Sequence, residues 1–255
     1  MKKSIMAVLT ALLTIVAMVG VFIAPADAAY TSTRASERMR WGAPLNGDEF
    51  SYVGAPDPAK WSVYNGPGHH NKGLRSPAQN TVAGGYLTIK GNSAGTTGGL
   101  SARFNRQVYA RWEARMRTSV RDPEYHPVLI LWPADNAANN CDEVDYAEGT
   151  ADTRLMKVYL HYECAGDPTT RAQNTIDSTQ WHNYAVDWSP GGVVAYVDGR
   201  EVFRDTNSSH IPRAAMKQTI QLDWFPDGTA LKASQMQVDW VRVFKAGEGA
   251  PPRQY

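Results

Sequence analysis

The chain has 255 residues, of which 43% are hydrophobic and 20% are charged, and its formal net charge at pH 7 is +1. This balance excludes a strong electrostatic attraction to nucleic acid or to anionic lipid, so we expect neither as a partner. The length is sufficient for one domain with a sizeable hydrophobic core.

The first 28 residues have the pattern of a secretory signal. Lys2 and Lys3 precede an uncharged apolar run, which ends at Pro25 and is followed by the small-residue sequence ADA at 26–28. We expect cleavage after residue 28, because proline ends a helix and small residues fit a signal peptidase. The alternative is an uncleaved anchor, since the run approaches the roughly 20 residues that span a bilayer. Cleavage leaves 24 basic and 24 acidic residues in a secreted, extracellular protein without a membrane attachment.

Two segments flank the predicted domain. Residues 29–40 are polar and lack a core pattern, so we predict a linker. Residues 247–255 are rich in glycine and proline and predict a frayed tail. The domain therefore extends from residue 41 to residue 246.

Alternating apolar and polar residues predict β-strands throughout this domain. Within 193–204, Asp198 and Gly199 mark a hairpin turn, because glycine accepts the positive φ that a tight turn requires. Many short strands separated by turns predict an antiparallel sandwich. The clearest patterns lie at 84–91, 111–119, 158–163, 182–189, 193–204 and 236–245.

A polar, glycine-rich segment at 64–75 predicts a loop at the rim of the domain. It contains two adjacent histidines, His69 and His70. In an extended chain neighbouring side chains point apart, so we do not expect these two to share a metal ion.

Three carboxylates lie close together in the segment EVDYAE at 143–148. Glu143 and Asp145 share one face of a strand, whereas Glu148 points to the opposite face if the strand is regular. One extra residue between Asp145 and Glu148, a β-bulge, brings all three to one face, and bulges are frequent beside active sites. Like charges in a row raise one another's pKa, which has no structural benefit, but glycoside hydrolysis needs two carboxyls with separated pKa values.

Two other interpretations of the acid cluster remain open on spacing alone. One is a solvated acidic face. The other is a calcium site, although calcium usually takes its carboxylates from loops that also contain Asn and Gly, and this strand lacks that composition.

Two cysteines, Cys141 and Cys164, flank the acid cluster and the strand that follows it. An even pair in an exported protein predicts a disulfide, which would tie the acid-bearing strand to its neighbour. The alternative is two buried thiols. Two cysteines alone do not form a structural zinc site.

The acid cluster and several other segments of the sequence resemble those of glycoside hydrolase family 16. The segment EVDYAE matches the bulged form of that family's signature, E-x-D-x-x-E. Five further segments resemble family segments in the same order along the chain. They lie at 47–52, 82–89, 109–117, 181–202 and 236–244.

The resemblance implies an all-β fold, a concanavalin A-like β-jelly-roll sandwich of two curved antiparallel sheets with a cleft across the concave one. It also implies endo-acting, retaining cleavage of a β-linked polysaccharide, with no cofactor required. Glu143 corresponds to the family's nucleophile, Asp145 to the assisting acid and Glu148 to the acid/base. His161 corresponds to a histidine that many members have on the next strand, near the cleft.

One segment, HPVLILWP at 126–133, departs from the family pattern, which often reads W-P-A-F-W. His126 and Ile130 take the two tryptophan positions, and Trp132 lies two residues further on. By strand parity these residues share one face, so we predict His126 and Trp132 as substrate contacts. Trp224, late in the chain, is predicted as a further contact on a cleft strand.

Asp239 lies in the C-terminal segment, where some members of the family hold a calcium ion on the convex side. The resemblance therefore makes Asp239 a candidate ligand of a structural calcium ion. The alternative is an ordinary surface carboxylate.

The sequence predicts a secreted, monomeric endo-β-glucanase whose partner is a polysaccharide, with β-1,3-glucan as the first choice. A galactan hydrolase of the agar or carrageenan type, or a transglycosylase, is the alternative among enzymes, because agarases and carrageenases share the bulged motif. A lectin-like carbohydrate binder is the alternative from another class, but a binder has no need of three acids.

Overall fold

Two large antiparallel sheets make up most of the fold in the computed structural model, which describes residues 31–136, 142–162 and 169–253. The predicted signal segment and both cysteines, Cys141 and Cys164, lie outside the described residues. The described helical parts are α1 (Ala35–Arg38) and two 3₁₀ turns, and none is long and apolar enough to cross a membrane. The 3₁₀ turns lie at His69–Asn71 and Pro77–Gln79. The strands are β1 (Asn46–Asp48), β2 (Trp61–Val63), β3 (Gly66–Pro67), β4 (Leu74–Arg75), β5 (Asn80–Ala83), β6 (Tyr86–Gly91), β7 (Thr96–Thr97), β8 (Gly99–Ala102), β9 (Ala110–Thr118), β10 (Tyr125–Pro133), β11 (Glu143–Gly149), β12 (Leu155–His161), β13 (Thr169–Thr175), β14 (His182–Ser189), β15 (Gly192–Val197), β16 (Arg200–Asp205), β17 (Met216–Trp224) and β18 (Ser234–Phe244).

The acid-bearing strand β11 lies in the sheet with strand order β13-β12-β11-β10-β17-β8-β2, which we call the cleft sheet. The other large sheet, the outer sheet, has the order β16-β15-β14-β9-β18-β6-β5, and β1 pairs with β18. A small third sheet, β3-β4-β7, lies beside them and includes one parallel pair. The predicted antiparallel sandwich is confirmed.

The hydrophobic core lies between the two large sheets and fixes which way β11 faces. Leu129 of β10 and Tyr146 of β11 are fully buried on the cleft-sheet side, and Trp112 and Trp188 are buried on the outer-sheet side. Tyr146 also donates a hydrogen bond of 2.7 Å to the buried Gln218. Because apolar burial is the main stabilising term, these contacts hold the polar residues of β11 on the opposite, solvent-facing side.

The N-terminal segment predicted as a linker packs on the outer sheet instead. The backbone amides of Ala35 and Ser36 donate to the carboxylate of buried Glu113 at 2.6 and 3.3 Å. Trp41 then packs edge-on against Tyr196 and Phe244 of the outer sheet, with ring centroids 6.0 and 5.6 Å away. The polar side chains predicted a linker, but backbone amides at the start of α1 also make contacts, and these leave no pattern in the sequence.

The C-terminal segment predicted to fray is also held by its backbone. The carbonyl of Gly249 accepts a hydrogen bond of 2.9 Å from Ser189, and the carbonyl of Pro251 accepts one of 2.8 Å from Arg204. Glycine and proline lack polar side chains, so composition alone did not reveal these contacts.

Replacement of Trp41 by alanine is expected to lower the free energy of unfolding by about 3 kcal/mol, because a buried indole is lost from the outer sheet. Urea denaturation measures the change. Val53→Ala is the matched control, since Val53 is 85% exposed and its truncation should change stability very little. A Trp41→Ala variant as stable as this control would contradict the packing of Trp41 on the outer sheet.

Candidate active site

A β-bulge in β11 places the three acids on one face of the cleft sheet. Asp145 pairs with Tyr159 of β12, and Glu148 pairs with Lys157, so two residues of β11 lie opposite a single residue of β12. Both intervening side chains are buried in the core. The irregular strand that the acid spacing predicts is therefore present, and Glu143 shares its solvent-facing side with the other two acids.

All three acids open into one cavity of about 440 Å³ on the cleft sheet. Trp132 and His161, two of the predicted substrate contacts, line this cavity. A neighbouring concavity of about 500 Å³ shares Glu148 and contains His126. The structure therefore brings these three predicted contacts to the acids, and a groove of this extent is large enough for sugar rings on both sides of Glu148.

The cleft raises the pKa of Glu143 to about 9, chiefly through burial and then through the negative charge of Asp145. A hydrogen bond between the two carboxyls raises it further, whereas His161 lowers it. Near neutral pH, burial and the charge of Asp145 therefore favour the protonated form of Glu143.

His161 lies opposite Glu143 in the pairing of β11 with β12, and it also contacts Asp145. Its Nε2 is 3.4 Å from Asp145 Oδ2, and its Nδ1 is 3.2 Å from the hydroxyl of Thr169. The ring is thus held between a carboxylate and a hydroxyl, which fixes its orientation at the edge of the acid row.

Trp224 does not line the cleft, so its predicted role as a substrate contact is wrong. Its Nε1 donates a hydrogen bond of 2.6 Å to Glu124, and its ring packs against the core and so close to Gly95 that a Cβ there would lie 2.5 Å from it. Strand parity explains the difference, since Trp224 shares a face of β17 with buried Leu222. The next residue, Phe225, lines the cavity instead.

Asp239, the predicted calcium ligand, is paired with an arginine of the neighbouring strand β9. One of its carboxylate oxygens accepts a hydrogen bond of 2.6 Å from the Arg115 guanidinium. In the described parts of the chain, no group of three or more His, Cys, Asp or Glu side chains is arranged to hold a metal ion. Backbone carbonyls and water also bind calcium, so the role of Asp239 as a calcium ligand stays a prediction.

Several cavity residues were not identified from the sequence. Tyr159 lies two residues before His161 on β12, so strand parity from His161 identifies it. Asp223 is buried and accepts hydrogen bonds from Arg75 and, at 3.2 Å, from Gln221. Its position depends on the long-range pairing of β10 with β17, for which the local sequence holds no signal.

The adjacent histidines of the rim loop do not point apart as predicted. The rings of His69 and His70 stack with centroids 4.1 Å apart and an interplanar angle of 17°. His70 has a left-handed backbone with φ of 48°, so the alternation expected of extended chain does not apply. Both rings line the cavity that contains the acids.

Glu143→Gln is expected to stabilise the fold, by roughly 1–3 kcal/mol at pH 7. With its folded pKa at about 9, Glu143 binds more protons when folded than when unfolded. The contribution of Glu143 to the free energy of unfolding is therefore fully present below the ordinary glutamate pKa of 4.5. It is lost progressively as pH rises from there to about 9. The neutral amide avoids that loss, so the gain should grow across this window. Urea unfolding at several pH values measures it, and a gain that does not change with pH would contradict the raised pKa.

A family model described as "Glycosyl hydrolases family 16" matches residues 70–242. A curated relative, the beta-glucanase of Rhodothermus marinus, is 28% identical over 190 residues, which cover 63% of this chain and 64% of the relative. The chain thus spans just under two thirds of the length of that relative.

Two solved structures share the fold. That of LamAcat from Zobellia galactanivorans has a TM-score of 0.70 and 19% identity, with 81% of this chain and 99% of that chain covered. That of the laminarinase from Rhodothermus marinus has a TM-score of 0.67 and 22% identity, with 80% of this chain and 98% of that chain covered. The matched model also covers the whole of β11 and β12, which carry the acids and His161.

Proposed function

This chain belongs to glycosyl hydrolase family 16, and on that premise we propose that it is an endo-acting, retaining glycoside hydrolase that cleaves β-1,3-glucan. The observation that carries the proposal is the bulged strand β11, which opens three carboxyls into one cavity. A beta-glucanase and a laminarinase among its relatives support the choice of glucan.

Glu143 and Glu148 divide the chemistry between them in this proposal. The carboxylate of Glu143 attacks the anomeric carbon while Glu148 gives its proton to the departing glycosidic oxygen, so the C–O bond breaks as the glycosyl–enzyme ester forms. Glu148, now ionised, takes a proton from water, and that water attacks the same carbon and releases Glu143. Two inversions give net retention of configuration.

Asp145 resolves a conflict between the raised pKa of Glu143 and its role as a nucleophile. A protonated Glu143 does not attack, but the hydrogen bond between Glu143 and Asp145 lets the shared proton lie on Asp145. This transfer leaves the charge of the pair unchanged and produces the anionic Glu143 that the reaction needs. His161, 3.4 Å from Asp145, is placed to orient the carboxyl that holds the proton.

Trp132 and Tyr159 are the proposed sugar-stacking surfaces. Both line the acid-containing cavity, and aromatic rings of this kind pack against the C–H face of a pyranose. Trp132 lies two residues beyond Ile130, the second of the family's two tryptophan positions, so a sugar stacked on Trp132 lies further along β10 than the family pattern implies.

The test is reducing-sugar release from laminarin, lichenan, agarose and carrageenan by the purified chain. We expect laminarin to be cleaved to a mixture of oligosaccharides early in the reaction, and the products to appear first as β-anomers by proton NMR. Cleavage of only the two galactans, or α-anomers as first products, would overturn the substrate or the stereochemistry respectively.

A further inference from the structure

Four aromatic rings form a continuous stack from the rim of the cleft to the acids. His70 stacks on His69 at 4.1 Å, His69 packs on Phe225 at 4.7 Å, and Phe225 stacks on His126 at 4.2 Å with an interplanar angle of 22°. We call these four residues the ring stack. Its inner end is His126, which lies beside Glu148.

His126 has a buried nitrogen directed at Glu148. The side chain is 12% exposed, and its Nδ1 lies 3.8 Å from Glu148 Oε1. In the described parts of the chain this buried Nδ1 has no hydrogen-bond partner. A buried polar atom without a partner is costly, and a shift of the flexible carboxyl by about 1 Å would supply one. Hydrogen bonds between catalytic groups are often long in an empty site and shorten with substrate.

The rest of the ring stack prevents His126 from turning away. The amide of Phe225 donates a hydrogen bond of 2.7 Å to the carbonyl of Glu124, so the backbone behind the phenyl ring is fixed. On the outer side of Phe225, Nδ1 of His69 lies 3.9 Å from Oδ2 of the buried Asp223. Asp223 is in turn paired with Arg75. The plane of the His126 ring is therefore set by its neighbours before substrate binds.

We propose that His126 is a positioning residue for Glu148, an inference that rests on the proposed function of Glu148 as acid/base. The Nδ1–H of His126 donates to Glu148 Oε1 and leaves Oε2 to face the glycosidic oxygen. The proton that reaches the leaving group comes from Oε2, and His126 keeps its own proton throughout. His126 thus acts on the carboxyl and not, as its place in the sequence predicts, on the sugar.

Two variants of His126 separate this role from packing. His126→Phe keeps a ring on Phe225 but removes the donor, whereas His126→Asn keeps an N–H near the position of Nδ1 but removes the ring. Each is assayed with laminarin, whose leaving group needs a proton, and with a dinitrophenyl laminaribioside, whose leaving group does not. For His126→Phe we expect kcat/KM to fall about 10- to 100-fold on laminarin and less than about threefold on the aryl glycoside, with partial recovery in His126→Asn.

An equal loss on both substrates, or no loss on laminarin, would overturn the role of His126. Glu148→Gln in the same assay keeps the two proposals apart. If Glu148→Gln spares the aryl glycoside and His126→Phe does not, Glu148 remains the acid and only the inference about His126 fails. If Glu148→Gln lowers kcat/KM equally on both substrates, the acid/base assignment itself is wrong, and so is the proposed role of His126.

Discussion

Replacement of Glu143 by glutamine is expected to reduce laminarin hydrolysis by at least about 10³-fold in kcat, because an amide oxygen does not form the glycosyl–enzyme ester. The rest of the cleft stays in place, so KM should change much less than kcat. Reducing-sugar assays over long incubations measure the residual rate. Since the same variant is expected to be more stable than wild type, loss of activity with a raised unfolding midpoint excludes misfolding as its cause.

The matched control is Asp239→Asn, which makes the same change from carboxyl to amide on the outer sheet. It removes a half-exposed ion pair with Arg115, and such pairs contribute about 0–1 kcal/mol. Its activity should equal that of wild type. A Glu143→Gln variant that hydrolyses laminarin at the rate of this control would show that Glu143 is not the nucleophile.

The expected gain in stability and loss of activity have one physical cause. A carboxyl placed in a buried row with two others is destabilised in its charged form, and the reaction requires that charged form. A glutamine at position 143 cannot ionise, so it avoids this destabilisation of the fold, but it also removes the nucleophile. The acid row is therefore a site where stability is sacrificed for function, as is common where pKa values are strongly shifted.

The sequence predicts the acid row well because the information is local. Alternation of side chains along a strand shows that Glu143, Asp145 and Glu148 share one face only if the strand has a bulge, and the register of β11 with β12 contains one. The antiparallel sandwich follows from many short alternating segments in the same way. Both are properties of neighbouring residues, which one sequence records directly.

The side of the cleft formed by the loop at 64–75 and the end of β17 was not predictable, because it depends on contacts between segments far apart in the chain. Phe225 and His69 lie far apart in the chain and meet only because the loop at 64–75 folds against the end of β17. Trp224 was assigned to the cleft and its neighbour Phe225 was not, because the local sequence does not show which face of β17 meets the core. The docking of the N-terminal segment depends partly on backbone amides, which leave no pattern in the side chains.

Glu148→Ala is the second variant from which we expect a large effect, and its loss should depend on the substrate and be rescued by azide. Without the proton donor, hydrolysis of laminarin should fall by about 10²- to 10⁴-fold. With a dinitrophenyl laminaribioside the first step needs no proton, so the glycosyl–enzyme forms. Its hydrolysis is then slow, because no base activates the attacking water. Azide is already anionic and needs no base.

Added azide should therefore restore turnover of the aryl glycoside by Glu148→Ala and yield a glycosyl azide of β-configuration. Mass spectrometry and proton NMR identify the product, and Asp239→Asn, which keeps Glu148, should show no azide dependence. An α-configured azide would mean direct displacement without a covalent intermediate. That outcome would show that the enzyme inverts the anomeric configuration, and Glu143 would then act as a base on water. The configuration of this one product therefore tests the roles of both Glu143 and Glu148.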